Sequence, residues 1–365
     1  MVLLGNRLTK ALGPMHPAMN LNLPLDSSLC VISARRYGDA IINARLIHAA
    51  AQARPDIRWV IWTKPEFAPL FQLMGFDQII TSQFPIAGGA LKFLKEGGST
   101  LLKAIFELRS LKLNASIDFI GDAREAFLGS LIAGRRHHSP AWEESHWMHK
   151  LIWNGKIPFV QYFPIQTSQD RMYEIVSDLL SKLTGKVIKP TSSISSINHR
   201  PQYPPKIAFH PFSSQEFKAW PEIYWQQLSL LLKKQEIIPT VFCTESEESK
   251  AYQIFSSENS LVKIRATRSL QDLISGLKSI DLLVGVDSFL VHLASALGKK
   301  TIVINSGNLP AWWQPPNSLA LGQSGACLQY PCSNEPSCLG TKNESQCIKS
   351  IEPGQVLKAI EKTLS

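Results

Sequence analysis

A chain of 365 residues, 44% hydrophobic and 18% charged, has the composition of a soluble globular protein and the length for about two domains. Its formal charge of +9 suits an anionic partner, whether nucleic acid, membrane headgroups or a phosphorylated substrate. Two classes are excluded at once: no apolar run approaches the roughly 18 to 20 residues of a membrane span, and no stripe alternates basic with aromatic residues as a nucleic-acid surface does.

Residues 1–27 carry Pro and polar residues where a signal peptide needs an unbroken apolar stretch, so they are expected to form a loosely ordered extension of a cytoplasmic protein. Regular structure is predicted from Ser28. LCVIS (29–33) is a short apolar strand, followed by the turn ARRYGD and the amphipathic run AIINARLIHAAAQARP. RWVIWT (58–63) is the next strand, EFAPLFQLMG (66–75) a short helix ending on Gly75, and DQIIT (77–81) a strand. After a Gly-rich break at 87–98, STLLKAIFELRSLKL reads as helix, ASIDFIG as strand and EAFLGSLIAG (125–134) as helix.

The Ser- and Pro-rich stretch 184–206 has no helical period and is the predicted linker. A second series follows: strand KIAFHPF (206–212), helix PEIYWQQLSLLLKKQ, strand IPTVFC (238–243), a helix over 247–256, LVKI, helix SLQDLISGLKSI, strand DLLVGV (281–286), helix 289–298 and strand KTIVIN (300–305). This alternation predicts an α/β protein of two Rossmann-like, doubly wound domains facing a central cleft. The expected division is 28–190, 191–350 with a Cys-rich tail, and a closing helix over 351–365.

Ligands of such sheets bind beyond the carboxyl ends of the strands, so the strand-to-helix turns carry the chemical interest. In RRYGDA (35–40), Gly38 permits a sharp turn, and Asp39 is either a plain helix cap or a general base. In FHPFSSQEFKAWP (209–221), Ser213, Ser214 and Lys218 are either an ordinary polar loop or a phosphate cradle. In GVDSFLVHLASALGKKTIVINSG (285–307), Asp287 and Ser288 are positioned to cap a helix whose first turn carries His292. That turn is either a capped helix with a core histidine or part of an anion site.

From Leu29 to the C-terminus the sequence resembles the ADP-heptose:lipopolysaccharide heptosyltransferase family, glycosyltransferase family nine, whose fold is GT-B. YGDAIINARLIHAAAQARPDIRWVIWT resembles its opening GD segment, HPFSSQEFKAWPEIYWQQL its phosphate loop, and SLQDLISGLKSIDLLVGVDSFLVHLASALGKKTIVI its signature D-[ST]-G-x-x-H-x-A-x-A-L-G. The resemblance implies an inverting glycosyltransferase, cytoplasmic and in peripheral contact with the inner membrane, moving heptose from ADP-heptose to the lipopolysaccharide inner core. It implies Asp39 as catalytic base; Ser213, Ser214, Lys218, Glu245, Asp287, Ser288 and His292 as donor-binding residues; and no cofactor for transfer. One position departs: the signature glycine is Phe289 here, and an aromatic ring there either turns away or narrows the donor pocket.

An acceptor bound to the N-terminal half would find Arg35, Arg36, Arg135 and Arg136, with His137 and His138 beside them. These residues fit an anionic glycolipid or form a solvated basic face. A base on one half and a donor on the other imply closure about the linker. The closing helix is expected to pack back on the N-terminal half, as GT-B tails do. Cys327, Cys332, Cys338 and Cys347 lie in one short stretch, at intervals unlike a CxxC zinc pair. They are open to a structural Zn or Fe, to free thiols or to disulfides.

Two further functions compete with lipopolysaccharide modification. One is O-heptosylation of a protein, an autotransporter, with the cysteines holding a metal as in iron-containing relatives. The other is a catalytically silent nucleotide-sugar binder in which Phe289 blocks the donor. A sugar-nucleotide epimerase of the same shape fits the GD and DSxxxH turns poorly. No nucleic-acid partner is expected.

Overall fold

The structure, a computed structural model, describes residues 22–84, 97–141, 160–164, 172–189, 203–256, 261–307, 313–322, 327, 330, 332 and 336–365. The Gly-rich break and most of the predicted linker lie outside the described residues. The chain forms two compact units. The first takes in residues up to 35 together with 46–168 and 174–189; the second takes in 36–45, 169–173 and everything from 190 onward.

The first unit is built on a parallel sheet of six strands in the order β3-β2-β1-β4-β5-β6. These are β1 (Ser28–Ser33), β2 (Arg58–Thr63), β3 (Ile79–Thr81), β4 (Ala115–Asp118), β5 (His137–Ala141) and β6 (Val160–Pro164). The centre, β1, is buried at every residue, as a strand covered on both faces must be. Connecting helices are α1 (Tyr37–Ala53), α2 (Ala68–Leu73), α3 (Gly98–Ser110) and α4 (Ala123–Ala133), with α5 (Met172–Thr184) after β6. Leu101, Ile105 and Leu108 of α3 and Leu128 and Ile132 of α4 pack with Cys30, Ile32, Val60 and Trp62 of the sheet. Sequence periodicity missed β5, whose HHSPA carries no apolar run, and it also missed β6 and α5.

The expected loose extension is firmly held where it is described, at residues 22–27. The guanidinium of Arg54 donates to the carbonyls of Leu23, Pro24 and Thr184 and pairs with Asp56 at 2.6 Å, while Leu23 N donates to Leu183 O. One buried fork-shaped cation thus ties three chain segments together.

The second unit repeats the plan in the order β12-β11-β10-β7-β8-β9. Its strands are β7 (Ile207–His210), β8 (Thr240–Thr244), β9 (Lys263–Thr267), β10 (Leu282–Val286), β11 (Lys300–Ile304) and β12 (Ser318–Leu321). Between them run α6 (Glu222–Lys233), α7 (Glu248–Ile254), α8 (Leu270–Lys278) and α9 (Phe289–Ala296), followed by α10 (Gln346–Lys349) and α11 (Pro353–Leu364). The closing helix corrects the expectation made for it. The apolar face of α11, Val356, Ala359 and Ile360, joins the core formed by Trp225, Leu228 and Leu232 of α6 with Ile302 and Ile304 of β11. A bond from Gln235 Nε2 to Glu361 Oε1 at 2.8 Å fixes it at the rim. Its i, i+3, i+4 apolar stripe is therefore satisfied within the second unit.

Candidate active site

At the centre of the second sheet β10 ends at Val286, and the chain turns through Asp287 and Ser288 into α9. Ser288 occupies the N-cap position in extended conformation, yet its hydroxyl makes no cap bond. That hydroxyl is buried with no partner among the described residues, as is the hydroxyl of Ser306. Val286 lies opposite Ile304 in the parallel pair β10–β11, so each serine stands two residues beyond the same register line. Two desolvated hydroxyls at the carboxyl edge of the sheet, beside the orphan N–H groups that open α9, suit an anion's oxygens. Ser306 lies near the end of the quoted stretch 285–307, but nothing in the sequence marked it as a site residue.

Lys218 reaches this turn from the loop after β7. Its Nζ donates to Asp287 Oδ2 at 2.8 Å, with both side chains only 11% exposed. The loop is rigidly seated: Trp220 is buried, its indole N–H donates to Ile351 O at 2.8 Å, and its ring meets Trp225 edge-on at 4.9 Å. Ser213 lies in the same loop with its hydroxyl accepting from Gln215 N, and Ser214 is exposed. Glu245 opens the short 3₁₀ turn after β8, exposed and paired with Arg268 at 3.0 Å.

His292 projects from the first turn of α9, as its spacing predicts, but inward. Burial holds its imidazole well below the ordinary range, at about 4, against the opposing influence of Asp287. It is a neutral ring at physiological pH, 3.3 Å through Nδ1 from the Tyr173 hydroxyl. Burial likewise keeps that phenol protonated, its pKa raised to about 12. Arg45, fully buried, stands over the Tyr173 ring and donates to Ser295 Oγ at 3.1 Å. Arg45 lies within the opening GD segment without a role assigned to it there, Tyr173 lies outside the motifs, and only their packing shows their part in the site.

The contacts of Arg45 place the start of α1 beside α9. Tyr37 packs its ring on Phe289 at 5.1 Å, and Arg45 meets Ser295, so the two helix segments run alongside in the same sense. Asp39 lies between these two contacts, in the first turn of α1, half-buried. It is therefore a residue of the helix rather than its cap. Gly38 is also helical and does not make the turn, and a Cβ placed there would meet nothing within 4 Å. Asp39, Asp287, Ser288, His292 and Lys218 all belong to the second compact unit.

The profile of Glycosyltransferase family 9 (heptosyltransferase) matches residues 103–342. The chain belongs to this family. It is a GT-B glycosyltransferase, and its fold is shared with solved members at low identity. Escherichia coli heptosyltransferase WaaC with ADP aligns at 17% identity over 92% of this chain and 99% of that one, with a TM-score of 0.70. A family 9 glycosyl transferase from Veillonella parvula gives 15% identity over 95% and 99%, TM-score 0.71. E. coli ADP-heptose lps heptosyltransferase II gives 16% over 92% and 98%, TM-score 0.66. No curated protein sequence matches.

The arginines expected to bind an acceptor do not come together in this glycosyltransferase. Arg35 and Arg36 follow the carboxyl end of β1, whereas Arg135 and Arg136 precede the amino end of β5 in the same parallel sheet, at the opposite edge. Arg36 and Arg136 are exposed; the Arg135 side chain lies outside the description. Arg35 is engaged by Asp122 and, at 3.4 Å, by Glu125.

Burial is the largest influence on the Asp122 carboxyl and acts upward, yet Arg124 and Arg35 together hold it well below the usual carboxylate range. Glu125 is pushed the other way, to about 8, by burial and then by the charge of Asp118. His137 and His138 are strand residues inside the unit, not part of a basic face. His137 Nδ1 lies 2.8 Å from Ser116 Oγ and its Nε2 lies 3.1 Å from Asp118 Oδ2. A Cβ on Gly129 would fall 2.1 Å from the His137 ring, so this buried polar network also requires that glycine.

The four clustered cysteines of the glycosyltransferase are unbridged. Burial raises the thiols of Cys332 and Cys347; Cys338 and Cys327 add to the rise at both, and Cys332 adds to it at Cys347. Among the described residues no group of three or more His, Cys, Asp or Glu side chains is arranged to hold a metal ion. Among the described residues no helix is long and apolar enough to cross a membrane.

Proposed function

We propose that this glycosyltransferase transfers heptose from ADP-heptose, with inversion, to a hydroxyl of the lipopolysaccharide inner core. The observation that carries the reading is the alignment of the Asp39-bearing start of α1 with α9, flanked by the Tyr37–Phe289 and Arg45–Ser295 contacts. Asp39 takes the proton of the acceptor hydroxyl as its oxygen attacks the anomeric carbon, on the face opposite the departing ADP. A base so positioned is worth roughly 10²–10⁴ in rate. The leaving diphosphate is met by Lys218, by the N–H groups of the Ser213–Ser214 loop and by the start of α9 with the Ser288 hydroxyl, a preorganised set of donors. Lys218 then exchanges part of its bond to Asp287 for the diphosphate, and Asp287 keeps the ammonium aimed. Glu245, exposed at the end of β8, reaches the ribose hydroxyls.

His292, Tyr173 and Arg45 hold α9 and the start of α1 in register and have no proton to give at neutral pH. The binders named for the similar WaaC structures, ADP and ADP-2-deoxy-2-fluoro heptose, fit this donor.

A protein hydroxyl is the second reading of the acceptor. It is favoured by the carboxylates that cover Arg35 and by the separation of Arg136 from it, which leave less free positive charge for an anionic glycolipid. Incubating the protein with ADP-heptose and either Kdo-bearing lipid A or a protein acceptor, with mass spectrometry of both, separates the two. Heptosylated glycolipid is the expected product. Binding of the donor without turnover on either acceptor means a silent binder and ends the transferase reading.

A further inference from the structure

His210 ends β7, and β7 adjoins β10 where the strand order reverses: the chain runs outward from β7 through β8 to β9, then crosses back to β10. The carboxyl edge at such a reversal is the crevice in which a doubly wound sheet takes its ligand. Ile207, Ala208 and Phe209 are buried, whereas His210 is half-buried at that edge. Its Nδ1 lies 2.9 Å from Phe242 O of β8, and its ring meets Phe212 edge-on at 5.7 Å. Gly285 faces it across the β7–β10 pair. A Cβ there would come 3.2 Å from His210 O and 3.4 Å from His210 Cβ, so the glycine leaves the histidine its place.

A carbonyl oxygen can only accept, so Nδ1 carries the ring proton. Burial pushes the imidazole below the ordinary histidine range, against the bond to Phe242 and the charge of Glu247, and the ring is neutral. Nε2 is therefore a bare lone pair, with no hydrogen-bond partner among the described residues. A lone pair repels a phosphate oxygen and calls for an O–H or N–H. The surroundings divide in the same way. The β10 side holds donors suited to a diphosphate: Lys218, the Ser288 hydroxyl and the first N–H groups of α9. The β8 side, onto which Nδ1 turns the ring, holds acceptors: Glu245 opens the turn after Thr244 and Glu247 closes it. The cation there, Arg268, is paired with Glu245 at 3.0 Å. A nucleoside diphosphate has the matching polarity, with hydroxyls on its ribose and negative oxygens beyond them.

We propose that His210 recognises the ribose of the donor, its Nε2 accepting a hydrogen bond from one ribose hydroxyl, and so selects a ribonucleotide over its deoxy counterpart. This rests on the ADP-heptose reading above and adds to it a specificity-determining residue that neither moves a proton nor touches the diphosphate.

Calorimetry with ADP, 2′-deoxy-ADP and 3′-deoxy-ADP tests it in the parent and two variants. His210→Asn keeps an amide N–H for Phe242 O but has nothing at the Nε2 position; His210→Gln puts an amide oxygen within reach of that position. Loss of one ribose hydroxyl should weaken binding to the parent about 2- to 10-fold more than it weakens binding to His210→Asn, and His210→Gln should restore the difference. A merely structural histidine would weaken ADP and both analogues alike, so equal losses in the parent and His210→Asn for both analogues overturn this inference alone. A parent that does not bind ADP overturns it together with the donor reading. Should His210→Asn fail to fold by circular dichroism, the imidazole nitrogen resonances of the isotopically labelled parent decide the matter. The Nε2 signal of His210, assigned with His210→Gln, should move with ADP and not with inorganic pyrophosphate. An equal shift with both, or none with ADP, overturns the proposal.

Discussion

The rings of Tyr37 and Phe289 lie 5.1 Å apart, tilted by 49°, and join the first turn of α1 to the first turn of α9. Phe289 stands where the family signature has glycine, and here its ring is not idle: it supports the segment that carries Asp39. An aromatic pair contributes about 0.5–1.5 kcal/mol beyond its buried area. A double-mutant cycle on Tyr37→Ala and Phe289→Ala should return a coupling of about that size in thermal stability. Phe289→Gly should lower turnover more than it weakens ADP binding, because the ring acts on the side of the base. Strictly additive single effects would show that the contact has no energetic content.

Lys218 and Asp287 form a largely desolvated ion pair. Lys218→Ala removes a charge-assisted donor to the diphosphate and should weaken ADP binding by roughly 10- to 100-fold in calorimetry. Asp287→Asn should lower the melting temperature, since the lysine is then left buried without its counter-charge.

His292 and His138 are both held at about 4 by burial, below an ordinary value of 6.5. Unfolding lets each take up a proton once the pH falls below 6.5, so the folded state should lose stability as pH falls from 6.5 toward 4. Above 6.5 neither contributes a slope. His292→Gln should remove about one proton's share, ~1.4 kcal/mol per pH unit, from that acid limb. Superimposable acid limbs for variant and parent would contradict the burial of a neutral ring.

Glu125 has the opposite sign. Its carboxyl keeps a proton in the folded state up to about pH 8, while the unfolded chain gives it up near 4.5. The folded state therefore loses stability as pH rises through that window. Glu125→Gln has no such proton, and its stability relative to the parent should grow by on the order of 1 kcal/mol per pH unit between about pH 5 and 8. Denaturant titrations at three pH values measure it.

Much of this was legible in the sequence where one rule acts alone. Apolar strands buried on both faces, such as LCVIS and LLVGV, identify themselves, and the turns after β1, β7 and β10 follow from them. β5 was not legible because HHSPA is held by side-chain bonds from His137 to Ser116 and Asp118 rather than by an apolar run. Arg45 and Tyr173 were hidden for a related reason: an arginine in mid-helix reads as solvated until its partners Ser295 and Tyr173, far away in the chain, are seen. The basic cluster misled because sequence neighbours Arg136 and His137 part at a strand boundary, one outward and one into the core.

Asp39 as the base is the claim on which the mechanism stands. Rates of heptose transfer from ADP-heptose, measured alongside the calorimetric affinity for ADP, test it in the parent and in Asp39→Asn. Turnover should fall by roughly 10²–10⁴ with ADP affinity unchanged. A variant that keeps its turnover within about threefold of the parent would show that the proton leaves by another route, and would remove Asp39 from the reaction.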